Sequence, residues 1–289
     1  MSITDQFLVT GRTAIVTGAS SGLGVTFAHV LAEAGANIVL AARRVDRMEA
    51  VASELKRTGA DVLVQHCDVI DSASVAAMVE AAWTRFGRVD ILVNNAGIAA
   101  EAGVLPEHIP DDMWITTMST NVNGLFWCSR EVAQRQLADG RGGSIINIAS
   151  IMGLGASQNL ASAYQAAKGA VVNLTKNLAV SWADRGVRVN CIAPGWFPSE
   201  MTQPFFDIPE FLERFTYSAP MARTGLPEEL GGALLFLASD ASSFVTGQTI
   251  AVDGGAMAAS GTAPLYTEAL YAAQAAVAGP LGTPIRPQA

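Results

Sequence analysis

Seven short runs rich in β-branched and aliphatic residues recur along the chain, at 13–17, 37–41, 61–66, 89–94, 144–148, 187–192 and 249–252. Longer stretches of helical period separate most of them, at 23–34, 45–58, 71–86, 111–137, 162–184 and 227–237. Gly35, Gly59 and Gly87 stand where the first three helices should stop, because glycine accepts the left-handed backbone of a helix end. A strand that must wait for a helix before its neighbour arrives is joined in parallel, since an antiparallel pair needs only a tight turn. Crossovers of this kind are right-handed. The pattern therefore predicts an α/β fold, doubly wound, with a mostly parallel seven-stranded sheet and helices on both faces.

The chain has 289 residues, a length that fits one large α/β domain or two small ones. We expect residues 1–255 to form one catalytic domain, with a lid over about residues 196–218, and residues 256–289 to form a C-terminal extension. The extension is rich in Ala, Gly and Pro and carries two charges, Glu268 and Arg286. A short helix over 265–277 and packing against a neighbouring subunit or near a cleft are the expectations for it, with disorder as the alternative.

Only 15% of the residues are charged, against roughly 25% in ordinary soluble domains, which suggests that surface is hidden between subunits. The net charge of −8 repels phosphate backbones, so no nucleic-acid partner is expected, and an anionic cofactor must be held by local groups. Cys67, Cys128 and Cys191 lie far apart, as do His29, His66 and His108, and none has a metal-ligand spacing. Buried reduced thiols in a cytoplasmic protein, with no metal, are the expectation. The first residues lack the basic and apolar regions of a signal peptide. The uncharged stretch 142–167 is broken by Gly153 and Gly155 and studded with Ser, Asn and Gln, so no membrane span is expected.

Thr17-Gly18-Ala19-Ser20-Ser21-Gly22-Leu23-Gly24 follows the first strand and opens the first helix. Glycines there permit a tight turn and a close approach of pyrophosphate, and the helix start offers free N–H groups and a positive dipole end. The spacing, G-x-x-x-G-x-G, differs from the G-x-G-x-x-G of the common Rossmann fingerprint. The second strand is followed by Arg43 and Arg44, with no acid to receive ribose hydroxyls. This pair favours NADP(H) through its 2′-phosphate, with NAD(H) still possible. A solvated basic loop is the plainer reading, and Arg47 fits either.

Tyr164-Gln165-Ala166-Ala167-Lys168 places a phenol and an ammonium on one helix face. A phenol near pKa 10 is a poor acid/base at neutral pH, and a nearby cation favours its ionised form. Ser150 ends a strand at the carboxyl edge of the sheet, where doubly wound folds bind ligands. Asn121 lies within the long helix 111–137, where a polar residue needs a partner or a task.

With these residues, Asn94-Asn95-Ala96-Gly97, Asn121-Val122-Asn123-Gly124 and Pro194-Gly195, all in order, the chain resembles the short-chain dehydrogenase/reductase family over about residues 7–255. The resemblance implies a Rossmann fold and hydride transfer between NADP(H) and a small-molecule carbonyl or secondary alcohol. It implies Asn121, Ser150, Tyr164 and Lys168 as the catalytic set. Tyr164 would move the proton and Ser150 would hold the substrate oxygen. Lys168 would bind the nicotinamide ribose and depress the pKa of Tyr164, and Asn121 would hold a relay water. Cofactor contacts would come from Gly18, Ser20, Ser21, Gly22, Leu23, Gly24, Arg43, Arg44, Asp68, Val69, Asn94, Asn95, Tyr164, Lys168, Pro194, Gly195, Phe197 and Thr202. Asn94 would also brace its strand. A homotetramer built on helices 111–137 and 162–184 is the family's common assembly.

Two departures from the family are visible: the residues beyond 255, and the bulky start of the lid at Trp196-Phe197-Pro198. The lid carries Trp196, Phe197, Phe205, Phe206, Phe211 and Phe215 and no basic cluster, so a neutral or moderately apolar substrate is expected. The aromatics could instead anchor the lid to the core. A non-catalytic cofactor-binding scaffold is the alternative function, and it predicts a damaged catalytic set. A sugar epimerase or dehydratase would need a larger C-terminal domain.

Overall fold

A computed structural model describes residues 2–157 and 161–259. The helix and packing expected of the C-terminal extension lie outside the described residues. Seven strands, β1 (Thr13–Thr17), β2 (Asn37–Ala42), β3 (Val62–His66), β4 (Ile91–Asn94), β5 (Gly143–Ile148), β6 (Val187–Pro194) and β7 (Thr249–Val252), form one sheet. Their order is β3-β2-β1-β4-β5-β6-β7, and every pair is parallel. The expected sheet is therefore present, and parallel throughout rather than mostly.

Because successive side chains of a strand point to opposite faces, each strand feeds two cores. On one face Val16, Leu40, Val93 and Ile146 pack with Phe27 and Leu31 of α1 (Leu23–Glu33), Met48 and Leu55 of α2 (Val45–Arg57) and Leu234 and Leu237 of α9 (Gly231–Ala238). On the other, Ile15, Val39, Leu92 and Ile145 pack with Val75 and Met78 of α3 (Ser72–Phe86), Cys128 and Val132 of α5 (Leu125–Asp139) and Leu178 of α6 (Ser162–Trp182). The three thiols are buried and free, and desolvation pushes Cys67 and Cys191 up to about 11.

Local signals set most helix ends. The Asp71 side chain accepts from the N–H of Ala73 at the start of α3, and Gly87 closes that helix at φ +72°. The predicted helix over 111–137 differs in its middle. α4 (Asp111–Met118) passes into a six-residue π-helical segment, Ser119–Gly124, before α5 begins. The helix axis continues, so an apolar period of 3.6 still registers across the widened turn. Two short helices, α7 (Gln203–Phe206) and α8 (Pro209–Ser218), build the segment expected to act as a lid. No described helix is long and apolar enough to cross a membrane.

A buried polar chain crosses the sheet beneath its carboxyl edge. Asn94 on β4 donates to the Asn147 side chain on β5 (2.9 Å) and to Ser129 on α5 (2.8 Å), and Asn147 donates to Thr175 on α6 (2.9 Å). It fixes strand register against both helices of that face. Replacing Asn147 by Ala leaves an amide hydrogen of Asn94 and a lone pair of Thr175 unmatched in a dry interior. The expected loss is about 1–3 kcal/mol of unfolding free energy, read as a lower urea midpoint at unchanged slope.

Candidate active site

In a parallel sheet all carboxyl ends face the same way, and the strand order reverses between β1 and β4. A cavity of about 560 Å³ opens along that edge. Its floor is the turn after β1, stitched to the loop after β4. The Thr17 hydroxyl accepts from the N–H groups of Asn95 and Ala96, both at 3.1 Å. The Asn95 side chain donates to the carbonyls of Thr17 (2.9 Å) and Gly18 (3.3 Å). This seam leaves no space for side chains. Gly18 stands at φ +68°, and a Cβ there would lie 2.9 Å from Ala96 Cα; a Cβ on Gly24 would lie 2.4 Å from the Gly18 carbonyl oxygen.

One end of the cavity is polar and basic. Arg44 donates to the hydroxyls of Ser20 (3.1 and 3.2 Å) and Ser21 (2.7 Å), gathering β2 and the turn after β1 around one guanidinium. Arg43, Asp68 and Val69 complete that wall. The Asp68 carboxylate accepts from the N–H of Ile70 (3.3 Å), which shapes the loop after β3.

Ser150, Tyr164 and Lys168 meet at the other end. Ser150 follows β5, and its hydroxyl hydrogen-bonds the Tyr164 phenol. Lys168 is 4% exposed; its ammonium donates to the Ile148 carbonyl (2.7 Å) and lies 5.4 Å from the centre of the Tyr164 ring. Burial pushes the phenol up to about 12, and the Ser150 hydrogen bond pulls it down. Burial also pulls the Lys168 ammonium down to about 8. Burial dominates both groups in the free protein, and Lys168 is not among the causes of the Tyr164 shift.

Among the expected cofactor contacts, Gly18, Ser20, Ser21, Gly22, Leu23, Arg43, Arg44, Asp68, Val69, Asn95, Tyr164, Lys168, Pro194, Gly195, Phe197 and Thr202 all line the cavity. Three expected site residues do not. Gly24 packs beneath the turn, and Asn94 is turned into the buried polar chain, so each serves the site through its neighbours. Asn121 is fully buried at the π segment, and both its side-chain atoms are spent on Ile98: Oδ1 accepts from its N–H (3.0 Å) and Nδ2 donates to its carbonyl (2.7 Å). Its side chain therefore clamps the loop after β4 beside Lys168.

Sequence reasoning missed Glu101. It is fully buried; one oxygen accepts from the backbone N–H of Tyr164 (2.8 Å) and the other from the Thr117 hydroxyl (2.6 Å). An acid 63 positions from the helix it caps leaves no local pattern. A smaller cavity of about 90 Å³ adjoins Ser150 and Tyr164, walled by Ala99, Met152, Trp196, Met201, Phe205 and Phe215. The aromatics of this segment pack on one another and three of them border the cavity. Trp196 stacks on Phe215 at 3.6 Å, with Phe205, Phe206 and Phe211 around that ring, while Trp196, Phe205 and Phe215 also face this cavity.

A dinucleotide fits this groove: the glycine turn admits close backbone approach, the far wall is basic, and a phenol, a hydroxyl and an ammonium stand at the near end. The comparisons point the same way. Residues 18–257 match a family model described as enoyl-(acyl carrier protein) reductase. Gluconate 5-dehydrogenase of Gluconobacter oxydans (strain 621H) is 41% identical over 88% of this chain and 98% of its own. Galactitol 2-dehydrogenase (L-tagatose-forming) of Cereibacter sphaeroides is 42% identical over 88% and 98%. The crystal structure of a gluconate 5-dehydrogenase from Burkholderia cenocepacia J2315 in complex with NADP and tartrate superposes with a TM-score of 0.85 at 38% identity, over 89% of this chain and all of that one.

Replacing Glu101 by Ala strips the cap from the helix start that carries Tyr164. We expect a stability loss of about 1–3 kcal/mol and a fall in turnover larger than any change in substrate KM. Glu101→Gln, which keeps an acceptor for the Tyr164 N–H, should recover most of both in thermal melts and steady-state kinetics.

Proposed function

Because this chain belongs to the short-chain dehydrogenase/reductase family and is an NAD(P)-dependent oxidoreductase, we propose that it moves a hydride between NADP(H) and a neutral or moderately apolar carbonyl/secondary alcohol pair. The observation that carries the cofactor choice is Arg44 held against Ser20 and Ser21, at a β2 end that lacks a carboxylate. A guanidinium and two hydroxyls suit a 2′-phosphate. The small cavity beside Tyr164 supports the substrate class. Among the described residues its wall is made of apolar and aromatic side chains with few hydroxyls, and includes no arginine or lysine for a carboxylate. Galactitol, a neutral polyol, is the kind of substrate named for one relative, and gluconate, an anion, for another; the wall weighs against an anion and suits a substrate less hydroxylated than either.

The bound nicotinamide supplies or accepts the hydride. The chain's own groups manage the oxygen and its proton. Tyr164 donates its phenolic proton to the substrate oxygen in reduction and takes it back in oxidation. Ser150, already bonded to that phenol, holds the same oxygen and stabilises its developing charge. Lys168, fixed by the Ile148 carbonyl, would bind the nicotinamide ribose. Asn121 is a positioning residue that sets the loop after β4. The intact set weighs against a non-catalytic scaffold. Subunit association is part of this reading: Ile115 on α4 and Val180 on α6 are exposed apolar residues on the two helical segments expected to form the tetramer. Light scattering should report a mass near four chains, and a monomer at working concentration removes that part.

The test follows absorbance of NADPH and NADH across ketones, 3-oxoacyl thioesters and ketosugars. We expect consumption of NADPH, and a loss of about a hundredfold or more in Tyr164→Phe. Consumption of NADH alone, or activity confined to charged substrates, overturns the reading. The pH response follows from the raised phenol. A group held near 12 stays protonated at neutrality, so reduction should be nearly flat between about pH 6 and 8. Oxidation needs the ionised form and should climb with pH over the same interval.

A further inference from the structure

The basic end of the groove already holds an anion from the protein itself. Glu200, at the start of the lid, reaches across to the segment after β2. One carboxylate oxygen lies 3.1 Å from the Arg44 guanidinium, the other is paired with Arg47, and the Ser21 hydroxyl hydrogen-bonds the same group. Glu200, Ser20, Ser21, Arg43 and Arg44 all line the same cavity. The carboxylate is about half exposed, so it can leave without unfolding anything. The Ser21 hydroxyl and then Arg47 hold it down to about 2, so it is charged at any physiological pH.

A carboxylate and a phosphate monoester want the same donors, a guanidinium fork and hydroxyls. We infer that Glu200 is a specificity-determining residue: its carboxylate stands on the donors that a 2′-phosphate would use, so NADP(H) binds by displacing it while NAD(H) leaves it in place. The inference rests on the phosphate role proposed for Arg44. Glu200 thereby narrows a preference that Arg43 and Arg44 alone would make wide. It places on the lid the acid that the β2 end lacks. The ion pairs are partly exposed, so each is worth little in water and the competition is modest in size.

Binding titrations test this without turnover. NADPH and NADH are titrated by fluorescence, and adenosine 2′,5′-bisphosphate and adenosine 5′-monophosphate by calorimetry, against the wild-type chain, Glu200→Gln, Arg44→Ala and the double variant. We expect Glu200→Gln to tighten NADPH and the bisphosphate about three- to tenfold and to leave NADH and the monophosphate within about twofold. The gain should shrink at high salt and vanish in the double variant. If Arg44→Ala weakens NADPH but Glu200→Gln changes nothing, or shifts NADH as much as NADPH, the inference about Glu200 is wrong while the phosphate clamp stands. If wild type shows no advantage for the 2′-phosphate and Arg44→Ala is silent, the NADP(H) reading fails, and this inference with it.

Discussion

The hydrogen bonds from the Asn95 side chain to the carbonyls of Thr17 and Gly18 hold the two halves of the fold together at the point where the strand order reverses. A parallel sheet leaves a crevice at such a point, because the connections on either side turn away to opposite faces. A crevice lined by free carbonyls would be a poor home for a polyanion. Here Asn95 and the Thr17 hydroxyl consume the backbone polar groups that point inward from β1 and β4, and the glycines let those segments close to contact. What remains open at the turn is the start of α1, which offers N–H groups. The seam thus decides both the width of the groove and the sign of the charge it accepts.

Electrostatics at the site is local in a chain whose net charge is −8. At one end, Arg44 concentrates positive potential on two serine hydroxyls. At the other, the only cation among the described residues is Lys168, sealed by protein and drawn toward neutrality by that sealing. Dry surroundings raise the phenol and lower the ammonium together, so the free protein keeps its proton on Tyr164. Charge near Tyr164 develops when substrate and cofactor arrive, and fixed dipoles then act in a medium that screens them weakly. The buried carboxylate of Glu101 sits within this arrangement without reaching the cavity; its bonds to the Tyr164 N–H and Thr117 make it a fixed point of the helix start.

The parts legible in the sequence are those whose cause is local. A strand of five buried residues, a glycine at a helix stop, and a phenol four positions before an ammonium each announce themselves within a few residues. The sheet and the cavity wall followed from these. Contacts between distant segments were not legible. Glu101 reads as one acid in a loop, and Glu200 as one charge among several in the lid. The π segment escaped for a different reason: one wide turn shifts the helix face without erasing its apolar period, so the sequence supports an unbroken helix while the backbone turns Asn121 toward Ile98. Asn94 shows the limit of reasoning from a motif, since adjacent asparagines on an extended strand must point to opposite sides. Asn95 faces the groove, and Asn94 is therefore buried beneath it.

That alternation bears on how the lid can carry selectivity. Residues on strands are held by the sheet, and Arg43 and Arg44 directly follow β2, so their backbone is set by it. The lid is anchored differently. Phe215 is buried among aromatic rings, and Phe197 is packed against Gly225, where a Cβ would lie 2.2 Å from the ring. Ser199 and Thr202 form a local turn between those anchors, with the Thr202 hydroxyl donating to the Phe197 carbonyl (2.6 Å). Glu200 extends from this turn, so its backbone is fixed while its side chain is free to choose between Arg44, Arg47 and water. An acid placed on the strand end would select against the 2′-phosphate permanently. An acid on the turn competes reversibly, and the same segment borders the cavity beside Tyr164 through Trp196 and Met201.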